Sequence, residues 1–405
     1  MTDWLIRHPD LVITVIKIAL TLFLLLTAVA YMSWFERKLV AHIQSRWGPY
    51  RVGPHGLLQP LADGLKFLFK EDIILPNVTS RFIYLMAPFV AVTLGLLAIA
   101  VIPFGPGEVE LWGTRTGLYI ADINIGLLFV LAVTSRGVYA VALAGWSSNS
   151  KYPLLGGLRS AAQMVSYEIA LTLAVIGVVL LAGTLSLKEI VLAQAGHWWG
   201  IVPKWYFFPQ FVAFICFFIS GVAESNRLPF DLPEAETELV AGFHTEYSSP
   251  KFAMFFMAEY AHMITASFLA AILFLGGWLS PFPGNGWWTL TRYLPPAVTL
   301  ALAVVFLLDT FRLREPQHRL LVALIGLGLL GVTGLLVQPA VLELVQGPFW
   351  MLAKTGFFLF VYVWTRGTLP RFRYDQLMAF GWKFLVPLSV LNIIVTSFLV
   401  ATRAE

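Results

Sequence analysis

Apolar runs long enough to cross a membrane recur from one end of this chain to the other, and they leave few architectures open. The hydrocarbon core of a bilayer is about 30 Å thick, which a helix of about 20 apolar residues spans. No water is available at that depth, so a spanning segment has to satisfy its own backbone amides, as a helix does. Runs of this kind fall at 11–34, 81–102, 118–144, 161–183, 207–222, 252–279, 295–311, 320–341, 349–365 and 384–401. Ten spans define an all-α polytopic membrane protein. Only 12% of the residues are charged, against about 25% in soluble domains, and no polar stretch is long enough to build a soluble domain. The first run begins near Leu11 with no small-residue cleavage site, which marks a retained helix rather than a signal peptide.

Lysine and arginine give the orientation. The segment 35–81 holds Arg37, Lys38, Arg46, Arg51, Lys66, Lys70 and Arg81, and the segments 145–159, 224–251, 312–319 and 366–383 hold two, two, three and four more. The alternate loops offer Arg115, then Lys188 with Lys204, then Arg292, and none in 342–348. The rich loops therefore face the cytoplasm, and both termini face the other side. Within the first rich loop, Leu57, Leu58, Leu61, Leu65, Leu68 and Phe69 fall on one helical stripe away from Asp63, Lys66 and Lys70. That pattern predicts an interfacial amphipathic helix, either an anchor in the headgroups or a gate beside a lipid-facing opening.

The chemistry concentrates between Ala223 and Tyr247. Six carboxylates, Glu224, Asp231, Glu234, Glu236, Glu238 and Glu246, share this window with one basic residue, Arg227, although the whole chain has only 23 acidic residues. Carboxylates gathered at a membrane boundary are suited to moving or sensing charge. Asp231 followed by Pro233 and Glu234 predicts a capped helix start, with Glu234 and Glu238 on one face; Phe230, Leu239, Val240, Phe243 and Tyr247 predict that the segment is packed. Lys17, Arg136, Glu168, Glu259, His262 and Lys354 lie in or near the apolar spans. Lys17 and Lys354 are long enough to snorkel toward the interface. A carboxylate is too short for that, so Glu168, which neighbours Gln163, Ser166 and Tyr167, and Glu259, on one helix face with His262, read as functional.

Some chemistries are excluded. Cys216, the single cysteine, rules out a disulfide framework, a four-thiolate iron–sulfur cluster and a thiolate zinc site within the chain. A net charge of +4 gives no support for nucleic-acid binding. Gly326, Gly328 and Gly331 match a dinucleotide fingerprint but lie in an apolar span with no preceding strand, so close helix packing explains them better.

Four stretches, 35–72 (FERKLVAHIQSRWGPYRVGPHGLLQPLADGLKFLFKED), 145–170 (GWSSNSKYPLLGGLRSAAQMVSYEIA), 223–249 (AESNRLPFDLPEAETELVAGFHTEYSS) and 366–383 (RGTLPRFRYDQLMAFGWK), resemble the family of the H subunit, the quinone-chamber membrane subunit of bacterial NADH:quinone oxidoreductase, respiratory complex I. The resemblance runs over nearly the whole chain. It implies a membrane subunit that joins the membrane arm to the peripheral arm, forms much of the quinone chamber and begins the buried charge path coupling quinone reduction to ion pumping. It further implies that Glu224, Asp231, Glu234, Glu236, Glu238 and Glu246 form an acidic funnel below that chamber. Glu168 and Glu259 extend the path into the membrane. Arg37, Lys38, Arg46 and Arg51 lie in the loop lining the chamber; Arg37, Arg46, Arg51 and Phe230 are the residues expected at the quinone. The quinone is a substrate, bound jointly with partner subunits. Flavin and iron–sulfur centres would come from the peripheral subunits, and the location would be the bacterial inner membrane.

One departure from the family concerns residues 283–346. The family core has about eight helices, with Gly277–Phe282 followed almost directly by Gly347–Trp350. Here two apolar spans intervene, which predicts a core of 1–282 and 347–405 carrying an inserted helical hairpin. The runner-up is the equivalent subunit of a membrane-bound hydrogenase or of a ferredoxin- or F420-dependent dehydrogenase. A self-contained proton-coupled transporter would need internal repeats with paired helix breaks, and the sequence shows none.

Overall fold

A computed structural model describes residues 9–106, 108–111, 114–231, 240–284, 286–313 and 316–404. In chain order the elements are α1 (Pro9–Ile43), the amphipathic α2 (Gln59–Phe69) and α3 (Arg81–Leu97), then a β-hairpin of β1 (Glu108–Leu111) and β2 (Thr114–Gly117). There follow α4 (Gly126–Ser135), α5 (Gly137–Ser147), α6 (Lys151–Ala182), α7 (Leu187–Ala193), the two-residue strands β3 (His197–Trp198) and β4 (Val202–Pro203), and α8 (Phe211–Glu224). The chain continues with α9 (Ser249–Phe274), α10 (Leu294–Asp309), α11 (Pro316–Leu336), α12 (Pro339–Thr368), α13 (Tyr374–Phe380) and α14 (Val386–Ala404). Each pair of strands is an antiparallel hairpin between helices. Among the described residues nine helical stretches are long and apolar enough to cross a membrane, and α8 is a shorter apolar helix of 14 residues.

The nine long helices and the shorter α8 fall on the ten apolar runs, but the helices do not stop where hydropathy does. With 35 residues, α1 is about 50 Å long at 1.5 Å per residue, so it outruns the bilayer core and carries Phe35–Ile43 beyond it. The third run is not one helix. It divides into α4 and α5 at Arg136, which is exposed rather than buried, and 118–125 belongs to the return from the β-hairpin.

The core is a column of helices around α6 and α9. Helix α6 packs on α5, α8 and α14, while α9 packs on α3 and α12. Two glycines allow close approach: a Cβ on Gly156 of α6 would lie 2.7 Å from the Cα of Gly242, and one on Gly145 of α5 would lie 2.5 Å from the Pro153 carbonyl oxygen and 3.1 Å from the Cα of Gly157. Outward-facing apolar residues such as Phe23, Leu24, Phe82 and Phe398 are exposed in the isolated chain, as suits contact with lipid or with neighbouring membrane subunits.

Lys354, which is buried, and Lys17, which is half-buried, are pinned rather than snorkelling. Lys354 of α12 donates to the carbonyls of Leu275, Gly277 and Leu279 at 2.6, 2.8 and 2.7 Å, capping the end of α9 with a cation. Lys17 donates to the carbonyls of Gly117 and Tyr119 and to the Thr116 hydroxyl, tying α1 to the β-hairpin.

Helix α2 lies where the amphipathic pattern put it. Leu61, Leu65, Leu68 and Phe69 are exposed, as suits insertion among headgroups, while Phe67 meets Phe252 of α9 with ring centroids 6.1 Å apart. Helices α10 and α11 form an antiparallel pair, and of the three fingerprint glycines only Gly326 packs there, against Leu307; Gly328 and Gly331 face open space.

The glycine contacts predict a sharp contrast. Gly156→Ala drives a methyl into the Gly242 backbone and should cost roughly 1–3 kcal/mol, visible as a lower unfolding temperature in detergent. Gly328→Ala, which meets nothing, should leave that temperature unchanged or slightly raised.

A buried charge cluster as candidate functional site

The acidic segment is placed by α6. Gln163, fully buried, donates from one amide nitrogen to the carbonyls of Ala223 and Phe230, both at 2.8 Å. Tyr167, one turn further on, donates to the Leu377 carbonyl at 2.9 Å. From the other side the Phe372 amide donates to the Pro229 carbonyl at 3.1 Å, and Phe372 stacks on Phe230 with centroids 5.5 Å apart. Residues 223–231 are thus clamped between α6 and the turn that follows α12.

This clamp carries Arg227 into the protein. Its guanidinium bridges both carboxylate oxygens of Glu36 at 3.0 and 3.1 Å, approaches Glu259 Oε1 at 3.5 Å and lies over the Tyr260 ring at 4.2 Å. Tyr260 donates its hydroxyl to Glu36 at 2.8 Å, and Arg366 pairs with the same carboxylate from α12. Glu36 is 3% exposed and Arg227 5% exposed. Two carboxylates and two guanidiniums balance, which is how charges persist away from water.

Beside this cluster lies a cavity of about 80 Å³, lined by Glu224, Glu259, His262, His244, Thr134 and Thr265 among others. The volume suits several water molecules. His262 Nε2 lies 3.5 Å from Glu224 Oε1, an ion pair whenever the imidazole is protonated. Glu168 is within electrostatic reach of Glu224, His262 and the Ser135 hydroxyl. The buried Thr265 hydroxyl has no protein partner among the described residues, as a water-facing group would. Carboxylates, an imidazole and room for water make the arrangement able to take up, hold and pass protons.

The residues singled out by sequence do not form one unit. Glu224 and Glu259 line the cavity with His262, and Glu168 lies outside that lining but within electrostatic reach of Glu224 and His262. Asp231 instead pairs with Arg371 at 3.1 Å. Glu246 is half-buried and offers its backbone carbonyl to the Tyr84 hydroxyl at 2.6 Å. Glu234, Glu236 and Glu238, with the helix start expected around Pro233, lie outside the described residues.

The basic candidates are dispersed as well. Arg37 pairs with Asp63 of α2 at 2.7 Å, and Arg46 donates to Gln44 at 2.8 Å. Arg51 borders a cleft with Trp47, Pro49 and Tyr50. Phe230 is buried between Tyr167 and Phe372. Sequence reasoning passed over Glu36, Tyr260 and Arg366; a carboxylate directly before Arg37 and Lys38, at the end of an apolar run, was the available signal. No group of three or more His, Cys, Asp or Glu side chains among the described residues is arranged to hold a metal ion.

The described residues thus define a helical membrane protein with a neutralised cluster of buried charges beside a mostly apolar cavity that a few ionisable side chains enter. Residues 16–397 match the family described as NADH dehydrogenase, and the chain belongs to that family. It is 52% identical over 394 residues to H subunit 1 of the NADH-quinone oxidoreductase of Solibacter usitatus, covering 96% of this chain and 97% of that protein. It is 50% identical over 405 residues to H subunit 2 of the same enzyme in Koribacter versatilis, covering 97% and 98%. To H subunit 2 of Geobacter metallireducens it is 44% identical over 398 residues, covering 96% and 95%.

Two outcomes follow. Arg227→Ala leaves Glu36 and Glu259 buried with one fewer cation and should destabilise the fold by about 3–5 kcal/mol, measured as loss of thermal stability in detergent. Adding Glu36→Gln should restore part of that loss. His244, outside the spanning helices, has its imidazole pushed down from 6.5 to about 4 by burial. Its neutral form is favoured by folding, so its contribution is complete above pH 6.5 and is lost as pH falls toward 4, by about 3 kcal/mol in all. His244→Gln should flatten the pH dependence of the unfolding temperature over that interval.

Proposed function

We propose that this chain is the membrane subunit of a proton-translocating NADH:quinone oxidoreductase that forms the quinone chamber at the junction with the peripheral arm and begins the path coupling quinone reduction to ion movement. The relatives carry that enzyme's name over nearly their full length, and the nine long apolar helices fit a multi-pass subunit of the bacterial inner membrane. The distribution of Lys and Arg supports both termini on the non-cytoplasmic side. With one cysteine in the chain, electrons must arrive from partner subunits bearing flavin and iron–sulfur centres. We read α10 and α11 as a hairpin added to an eight-helix core.

The observation that carries the reading is the Arg227 cluster against the cavity of Glu224, Glu259 and His262. Reducing a quinone takes two electrons and two protons, so charge changes in a poorly screened chamber. A unit charge about 8 Å from a carboxylate, at an effective dielectric near 20, is worth roughly 2 kcal/mol, about a thirtyfold change in a protonation equilibrium. Coupled carboxylates titrate as a set, so a change at one end of the row is felt along it. The row offers a route from Asp231 through Glu259 and His262 to Glu224 and Glu168, and Glu234, Glu236, Glu238 and Glu246 complete the acidic funnel in this reading. Arg37, Arg46, Arg51 and Phe230 belong to the chamber wall in this reading. Arg37, Arg46 and Arg51 supply positive charge for a reduced headgroup and Phe230 an apolar surface.

In an assembled complex, Glu168→Gln, Glu234→Gln and Glu259→Gln should each lower NADH:quinone activity and proton pumping at least about tenfold, a barrier change near 1.4 kcal/mol. NADH oxidation by a hydrophilic acceptor, which draws electrons before they reach this subunit, should be unchanged. Variants that retain full quinone reduction and pumping would refute the coupling role.

A further inference from the structure

His55 is the hub of the loop between α1 and α2. It is a non-glycine residue at φ 53° and ψ 18°, inside the turn Pro54–Gly56, a conformation that needs surrounding contacts to hold it. Its carbonyl accepts from Trp34 Nε1 at 3.3 Å and Lys38 Nζ at 3.4 Å, both from α1. Its ring meets Tyr50 edge-on, with centroids 5.8 Å apart. The remaining contact comes from far along the chain: Asp309, the last residue of α10, places Oδ2 2.6 Å from His55 Nε2. The backbone of the loop is thus fixed by α1, and its ring by the α10–α11 pair.

What the ring steadies is an aromatic and cationic edge. Trp47 and Tyr50 are exposed and, with Pro49, Arg51 and Gln59, line the cleft directly beside His55. Lys38 also donates to the Pro49 carbonyl at 3.1 Å and lies 5.7 Å from the Tyr50 ring centroid, so a shift of His55 propagates to both walls. Immediately after the cleft comes α2, whose exposed Leu61, Leu65, Leu68 and Phe69 set the level of the membrane surface. A flat, carbonyl-bearing head on a long apolar tail would meet this edge as it leaves the lipid.

We propose that Asp309 is a positioning residue for substrate access: through His55 it holds the loop of Trp47, Tyr50 and Arg51 in the shape that admits a lipid-borne quinone, so that the α10–α11 hairpin serves as a brace for the access loop. This rests on the function proposed above. Asp309 touches no reacting group, and its effect is on arrival rather than on chemistry.

The test uses the whole complex in liposomes, assayed with a long-tailed quinone and with a short-tailed, water-soluble analogue. Asp309→Ala should raise KM for the long-tailed quinone about threefold to fivefold, the range of a partly exposed ion pair, with kcat little changed. KM for the soluble analogue should move less. Asp309→Glu should restore the wild-type value. His55→Gly keeps a residue suited to positive φ but removes the ring; it should match Asp309→Ala, and the double variant should be no worse than either, since both break one contact. An unchanged KM for the long-tailed quinone, or additive losses in the double variant, would overturn the proposal, as would equal falls in kcat for both quinones with less assembled complex. A wild-type complex without quinone reductase activity would overturn the underlying function as well, which separates the two failures.

Discussion

The packing of α1, α6, α9 and α12 depends on one guanidinium held away from water. Arg227 joins Glu36 of α1, Glu259 of α9 and the Tyr260 ring, and with Arg366 of α12 it closes a neutral set of four charges. Desolvating such groups costs several kcal/mol each, so they are stable only if every helix supplying one keeps its place. Gln163 and Tyr167 of α6 provide that constraint by fixing the backbone that carries Arg227. The cluster therefore binds α1, α6, α9 and α12 together and also gives the neighbouring cavity its fixed electrostatic wall.

The spanning architecture was legible because a single requirement, satisfying the backbone in lipid, acts on every span alike. Ten apolar runs became nine long helices and the short α8, and the stripe from Leu57 to Phe69 became α2. Hydropathy was less informative about ends: α1 and α6 continue well past their apolar runs because helix formation does not stop at the headgroups. The break at Arg136 had no proline or paired breaker to announce it, only Gly137 after it.

The site was legible in its acids and not in its pairings. Glu168, Glu224 and Glu259 stand out because a carboxylate in an apolar run needs a reason. Glu36 did not, since its meaning comes from Arg227, 191 residues away, and from Tyr260 and Arg366. The acidic window also looked like one cluster in sequence, whereas Asp231 turns to Arg371 while Glu224 turns to His262. Local spacing cannot register contacts that tertiary packing creates. For the same reason the lysines were read as snorkelling when three carbonyls at the end of α9 were waiting for Lys354.

In the proposed function, the carboxylates of this chain change protonation when the quinone is reduced. Redox-triggered infrared difference spectroscopy of the assembled complex, in H2O and in D2O, observes that event directly. A protonated-carboxyl band should appear or disappear on quinone reduction, shift in D2O, and be altered in Glu224→Gln and Glu259→Gln complexes. A difference spectrum without a carboxyl band, or with one that neither substitution alters, would contradict it.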